Sequence, residues 1–341
     1  MATKTKAQRQ TAKELKLLEE EIEQVYLTAQ EELSVKWNNY MKRAEKRLAT
    51  KQQAYESALA KGDKELVKST KTALDNAKRN ITFEDRRYRA MVDDITSRLA
   101  HKNQIALDYI NGRLPNVYRY NYNEVSVMCN KIGIDFTMVN EQTVANMIKR
   151  GDVKLPKKKV SIPKDKRWNT KQINSQVLQG IVQGEDMNKI AKRLEPIVDN
   201  NKVAAMRNAR TITGGVQNQG RIDSYKKLEK DGVVGKKVWL AGADGRTRDW
   251  HIDMDGQEKG LDEPFIDGLG NKLDYPKDPS APPETVYNCR CDADYKPIGF
   301  KNDDGSITLI DYDKVNTETL HDRQIKAERM RREYKKNERA Y

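Results

Sequence analysis

The chain has 341 residues, 34% charged and 37% hydrophobic, with a formal net charge of +13 and a mean hydropathy of −0.91. No apolar run approaches the roughly 20 residues that span a bilayer. The basic start "MATKTKAQRQTAKELK" lacks the apolar stretch of a signal peptide, and three cysteines do not make a secreted disulfide scaffold. The expected compartment of synthesis is a reducing cytoplasm, and the basic balance favours a polyanion such as nucleic acid.

From about Thr11 to Lys102 the chain is almost free of Gly and Pro and rich in good helix formers. Leu15, Leu18, Ile22, Val25 and Ala29 follow the three-and-four spacing of a coiled-coil seam. Leu33 and Trp37 slip that register like a stutter, and Tyr40, Ala44 and Leu48 resume it. The turn "AKGDKE" at 60–65 predicts two long helices folding back on each other, with one long solvated helix as the plainer alternative.

"YINGRLPNVYRYNYNEV" at 109–125 is expected to break the helix at Asn111-Gly112 and Pro115. Its tyrosines suit either a docking surface with wet hydroxyls or a packed loop. From Lys149 to Lys171 there are ten basic residues against two acidic ones. Lys149, Arg150, Lys154, Lys157, Lys158, Lys159, Lys164, Lys166 and Arg167 are therefore candidates for sequence-independent contact with DNA phosphates. A solvated linker is the alternative, and the basic tail from His321 onward poses the same choice.

Residues 169–228 form a second helical block. Two amphipathic helices meet around Gly184, with Ile173, Val177, Ile181, Met187, Ile190, Leu194 and Ile197 facing a core. A continuation tolerates Gly214 and Gly215, where another element could approach closely.

From Lys236 the chemistry changes. The strand-like "KKVWLA" leads into a stretch dense in Gly, Pro and Asp, which predicts a small α+β unit short of apolar core. His251, Cys289 and Cys291 are expected to converge there as a staple. They offer three zinc ligands, with Asp249, Asp253, Asp255 or water as a fourth. Alternatively the thiols pack as small hydrophobes around a hydrogen-bonded imidazole. Zinc is the only cofactor the residues suggest.

A metal-dependent DNA-processing enzyme built on the same cluster, nuclease or deaminase, is the rival reading. A zinc deaminase uses His-x-Glu and Pro-Cys-x-x-Cys. Here Asp253 stands in place of the Glu, Asn288 in place of the proline, and the cysteines are one residue too close. An HNH-type nuclease needs a metal-binding helix that the Pro-rich interval does not supply. No Gly-rich phosphate loop, His-Glu-x-x-His or Gly-x-Ser-x-Gly occurs.

Arg210-Thr211, Trp239, "ADGRTRDWHIDMDGQ" at 243–257, Phe265, "YPKDPSAPPE" at 275–284 and "NCRC" at 288–291 form an ordered set. Over roughly residues 170–296 it resembles the phage Mu F-like minor head protein family, also called phage head morphogenesis proteins. The matching motif positions are Arg210, Trp239, Asp244, Arg246, Arg248, Asp255, Gly256 and Asn288. "YINGRLPNVYRYNYN" is similar to a segment that members from Gram-positive phages carry after their N-terminal helices.

The resemblance implies a non-enzymatic virion protein inside the head, made in the host cytoplasm and supporting head assembly. It implies a portal protein, a capsid or scaffolding protein and double-stranded DNA as partners, with exit alongside the DNA in some cases. Some relatives carry a toxin or enzyme after the cysteine motif; the short charged stretch after Tyr295 leads us to expect none here.

The expected fold is mainly α with a small α+β C-terminal domain, and a long helical hairpin or coiled coil at the N-terminus. The expected divisions are a helical region 1–105, a Tyr-rich segment with short helices 106–148 and a basic linker 149–171. A helical block 172–235, a small Gly- and Pro-rich domain 236–297 and a charged tail 298–341 follow.

Overall fold

The computed structural model describes residues 5–79, 86–155, 165–183, 185, 187–242 and 245–311. They fall into two compact units: Met1–Glu19 with Ile110–Lys159 and Arg207–Tyr341, and Glu20–Tyr109 with Val160–Met206. The chain is mainly α, with a small C-terminal region of antiparallel strands, as the sequence predicts. No helix among the described residues is long and apolar enough to cross a membrane.

The helices are α1 (Lys6–Lys61), α2 (Lys64–Arg79), α3 (Arg86–Asn123), α4 (Val125–Lys131), α5 (Glu141–Arg150), α6 (Lys166–Val182) and α7 (Met187–Lys230). The predicted turn between α1 and α2 is present. Gly62 takes a left-handed φ of 72°, and Asp63 Oδ1 caps α2 by accepting from the amides of Glu65 and Leu66, both at 3.1 Å.

Within the second unit, α1 buries Ile22, Tyr26, Ala29, Leu33, Trp37, Tyr40 and Ala44. These steps of four, three and four repeat every 11 residues, about 3.67 per turn, so the stripe stays on one side of the helix. The expected seam had Val25 and a local slip instead. Val25 is only half-buried, because Tyr26 takes the inner position and its hydroxyl finds a partner there. Tyr26 Oη donates to Asn103 Oδ1. Asn103 Nδ2 donates to Asn201 Oδ1 at 3.0 Å, and Asn201 Nδ2 to Asn169 Oδ1 at 2.9 Å. This buried ladder joins α1, α3, α7 and α6.

One expectation fails in α3. The helix runs unbroken through Asn111, Gly112 and Pro115. Ile110, Leu114, Val117 and Tyr118 are all buried, and that burial outweighs the amide lost at Pro115 and the flexibility of Gly112. Tyr118 and Tyr122 are buried too, stacked with centroids 5.8 Å apart, so this pair is packed and not presented for docking.

After α7 come β1 (Val233–Leu240), α8 (Asp249–Ile252), β2 (Glu258–Lys259), β3 (Phe265–Ile266), β4 (Lys272–Leu273), α9 (Pro283–Val286), β5 (Asp292–Lys301) and β6 (Ile307–Leu309). One antiparallel sheet has the order β2-β1-β5-β6, and β3 pairs with β4. The β1–β5 register sets Trp239 opposite Ala293 and Leu240 opposite Asp292. Side chains alternate across a strand, so Ala293 and Tyr295 of β5 turn inward. There they join Val125, Cys129, Ile222, Leu228 and Val233 in one apolar cluster. The β5–β6 pairing carries the sheet beyond residue 297, where the sequence reading began the tail. Residues 312–341 lie outside the described residues.

Candidate functional site

The three residues that sequence reading joined are brought together. His251 sits in the short α8, and the cysteines follow α9 just before β5. Asn288 makes this possible: its left-handed φ of 57°, which Asn tolerates better than most residues, turns the chain between α9 and Cys289. His251 Nδ1 lies 3.6 Å from Cys289 Sγ and 3.6 Å from Cys291 Sγ. The amide of Cys291 points at Cys289 Sγ at 3.4 Å. All three residues are buried, and their ligand atoms lie within 4.8 Å of one another.

Trp239 packs edge-on against the imidazole at 5.4 Å between centroids, and Trp250 does so at 6.4 Å. His251 Nε2 has no hydrogen-bond partner among the described residues. A hydrogen bond from Cys291, helped by His251, outweighs burial and holds the Cys289 thiol well below its ordinary pKa. Sharing that hydrogen bond, with burial added, pushes Cys291 far up. No carboxylate joins the cluster among the described residues.

The motif residues brace the two segments that carry these donors. The Arg248 guanidinium donates to the Tyr287 carbonyl, which ties α8 to the residue before Asn288. Asp255 Oδ1 accepts from the amide of Ala241 at 2.9 Å. Gly256, with φ 81°, donates its amide to the Trp239 carbonyl at 2.8 Å. Arg246 is exposed, and Asp244 lies outside the described residues. Arg210 stands apart on α7, paired with Glu19 at 2.5 Å.

Comparison with known proteins matches residues 171–294 to the family described as Phage Mu protein F like protein. Over those residues the chain is similar to the Phage Mu F-like family. Over 143 residues, 40% of this chain and 46% of the relative, the chain is 30% identical to the minor head protein GP7 of Bacillus phage SPP1. Over 119 residues, 35% of this chain and 24% of the relative, it is 30% identical to the NAD(+)–arginine ADP-ribosyltransferase EFV of Enterococcus faecalis. The chain thus spans less than half the length of either relative. No solved structure gives a significant match.

The F-like region also depends on residues that sequence reading passed over. On α7, buried Asn218 donates to the Pro276 carbonyl at 3.1 Å and accepts from the Ala293 amide at 2.8 Å. Arg221, also buried, reaches the Ala293 carbonyl at 3.2 Å and Glu124 at 3.3 Å. Gln217 and Gln8 donate to the two oxygens of Asp292, at 2.8 and 2.9 Å.

The close approach expected at the paired glycines is real. The Lys277 side chain lies against Gly214, and its carbonyl would stand 2.9 Å from a Cβ placed on Gly215. Lys237 of β1 is wholly buried in the F-like region and donates to the carbonyls of Leu261 and Asp274 at 3.1 and 3.0 Å. Burial lowers its pKa.

The candidate DNA contacts divide between the units. Lys149, Arg150 and Lys154 are exposed in the first, and Lys166 and Arg167 are exposed in the second. Lys157, Lys158, Lys159 and Lys164 lie outside the described residues. Lys149 and Arg150 occupy the last turn of α5, where cations favour the helix dipole. Arg150 pairs with Asp152 at 2.9 Å and Lys166 with Asp93 at 2.6 Å.

Proposed function

We propose that this chain is a phage minor head protein that associates with the portal and the interior of the procapsid, with capsid or scaffolding protein as a further partner. It supports head assembly and makes sequence-independent contact with the packaged double-stranded DNA, leaving with that DNA on ejection. The observation that carries the reading is the match of residues 171–294 to the F-like family, joined by the similarity to the SPP1 minor head protein. The exposed basic residues near Lys149 and Lys166 support DNA contact, through counterion release from phosphates.

The transferase activity in the enterococcal relative's name describes a protein of which this chain spans 24%. The His251 cluster, with no carboxylate among the described residues, lends the DNA-processing alternative no support.

The test is co-expression with the portal protein of the same phage, followed by sedimentation, together with mass spectrometry of purified heads. Co-sedimentation and recovery from heads are expected; absence from both overturns the reading. For DNA contact, neutralising Lys157, Lys158 and Lys159 should lower the slope of log affinity against log salt by roughly 2–3. An unchanged slope moves the contact elsewhere.

A further inference from the structure

The geometry points to a structural zinc site formed by His251 Nδ1, Cys289 Sγ and Cys291 Sγ, a property that the head-assembly reading does not include. Nδ1 stands 3.6 Å from each sulfur. A tetrahedral zinc ion, bonded to sulfur at about 2.3 Å and to nitrogen at about 2.0–2.1 Å, separates those ligand atoms by about 3.6 Å. Both separations meet that edge, so the imidazole already stands where the ion requires it. The donor set agrees: thiolate and imidazole favour zinc over magnesium or calcium, which take oxygen ligands.

Packing alone serves these groups poorly. Sulfur is a weak donor and acceptor, so contacts of 3.6 Å are thin recompense for burying an imidazole that is 1% exposed. Coordination replaces them with three bonds to the ion. No carboxylate joins the cluster among the described residues, so the fourth position falls to water.

The placement also suits a staple. β2, β3 and β4 are two residues long each, and they lie in the 38-residue interval between His251 and Cys289. An ion that joins the ends of that interval removes freedom from the unfolded chain and contributes its binding energy to folding.

The test uses the full chain, expressed with zinc and purified without chelator. Elemental analysis should find about one equivalent of zinc per chain. The Cys289→Ala/Cys291→Ala double variant should lose it, and Cys129→Ser should keep it. To separate loss of the ion from loss of the fold in the double variant, wild-type protein is also stripped and reloaded with cobalt. A sulfur-to-cobalt charge-transfer band with tetrahedral visible absorption supports the site, as does a melting temperature that falls on chelation and recovers with zinc. Less than about a tenth of an equivalent of zinc, a cobalt spectrum without the sulfur band, or zinc retained by the double variant overturns it.

Discussion

In Glu20–Tyr109 with Val160–Met206, the buried polar groups described above are neutral: Tyr26, Asn103, Asn201 and Asn169 pass hydrogen bonds from one side chain to the next. In the strand region of the other unit, charges are buried as well. Asp267 Oδ1 accepts from the amides of Leu269 and Asn271 at 2.9 and 2.8 Å. Its Oδ2 accepts from Asn271 Nδ2 and the Thr285 hydroxyl at 3.0 and 3.1 Å. Asp278 does the same for the amides of Asp274 and Ser280, both at 2.8 Å.

The difference follows from the backbone. Long helices satisfy their own amides, so buried polar groups there need only each other. Short strands and turns leave amides over, and a carboxylate with two oxygens gathers several at once. One region spreads its stability along helix faces; the other concentrates it at a few points.

Three substitutions test that contrast, and the largest effect belongs to the strand region. Trp239 is 0% exposed between His251 and Phe265. Trp239→Ala should destabilise that region by about 3–5 kcal/mol, read by denaturant unfolding, while far-ultraviolet circular dichroism keeps most of its helical signal. Loss of the whole helical signal in one transition would break the contrast.

Asp267→Ala comes next, at about 2–3 kcal/mol at neutral pH. Burial alone would raise the pKa of this carboxyl, but hydrogen bonds from Asn271, Leu269 and Thr285 outweigh it and hold the pKa below the ordinary value. A depressed folded-state pKa means that the stabilisation is present above the unfolded value near 3.9 and lost as pH falls through the folded one. The gap between wild type and variant should therefore close below about pH 4, followed by denaturation at neutral and acid pH. A gap that stays constant assigns the effect to packing.

Tyr26→Phe is the mildest. It removes one hydrogen bond from the ladder and should cost about 1 kcal/mol, with no change between neutral and mildly acid pH. A loss as large as that of Asp267→Ala would mean that the helical unit is also held at single points.

Legibility in the sequence followed the same division. The helices and β1 were readable because periodicity and the scarcity of Gly and Pro report directly on backbone state. The His251 cluster was readable because histidine and cysteine are rare here: three of each. Position 115 misled because a proline speaks only for local cost, whereas burial of Ile110, Leu114, Val117 and Tyr118 decided the outcome. Tyr26 displaced Val25 because a hydroxyl can be buried once Asn103 is beside it, and the two are 77 residues apart. Asn218, Arg221 and Asp267 gave no signal at all. They belong to residue types that are usually exposed, and only the fold reveals the amides and carbonyls they meet.

The amide ladder has a further consequence, for alignment. Sliding one helix by a single residue shifts it about 1.5 Å and turns it about 100°, enough to part that helix's own donor or acceptor from its partner in the ladder. Each parted amide would then be buried without a partner, at about 1–3 kcal/mol. Four ordinary side chains thereby act as a vernier, fixing the axial position of four helices that grease alone would leave approximate.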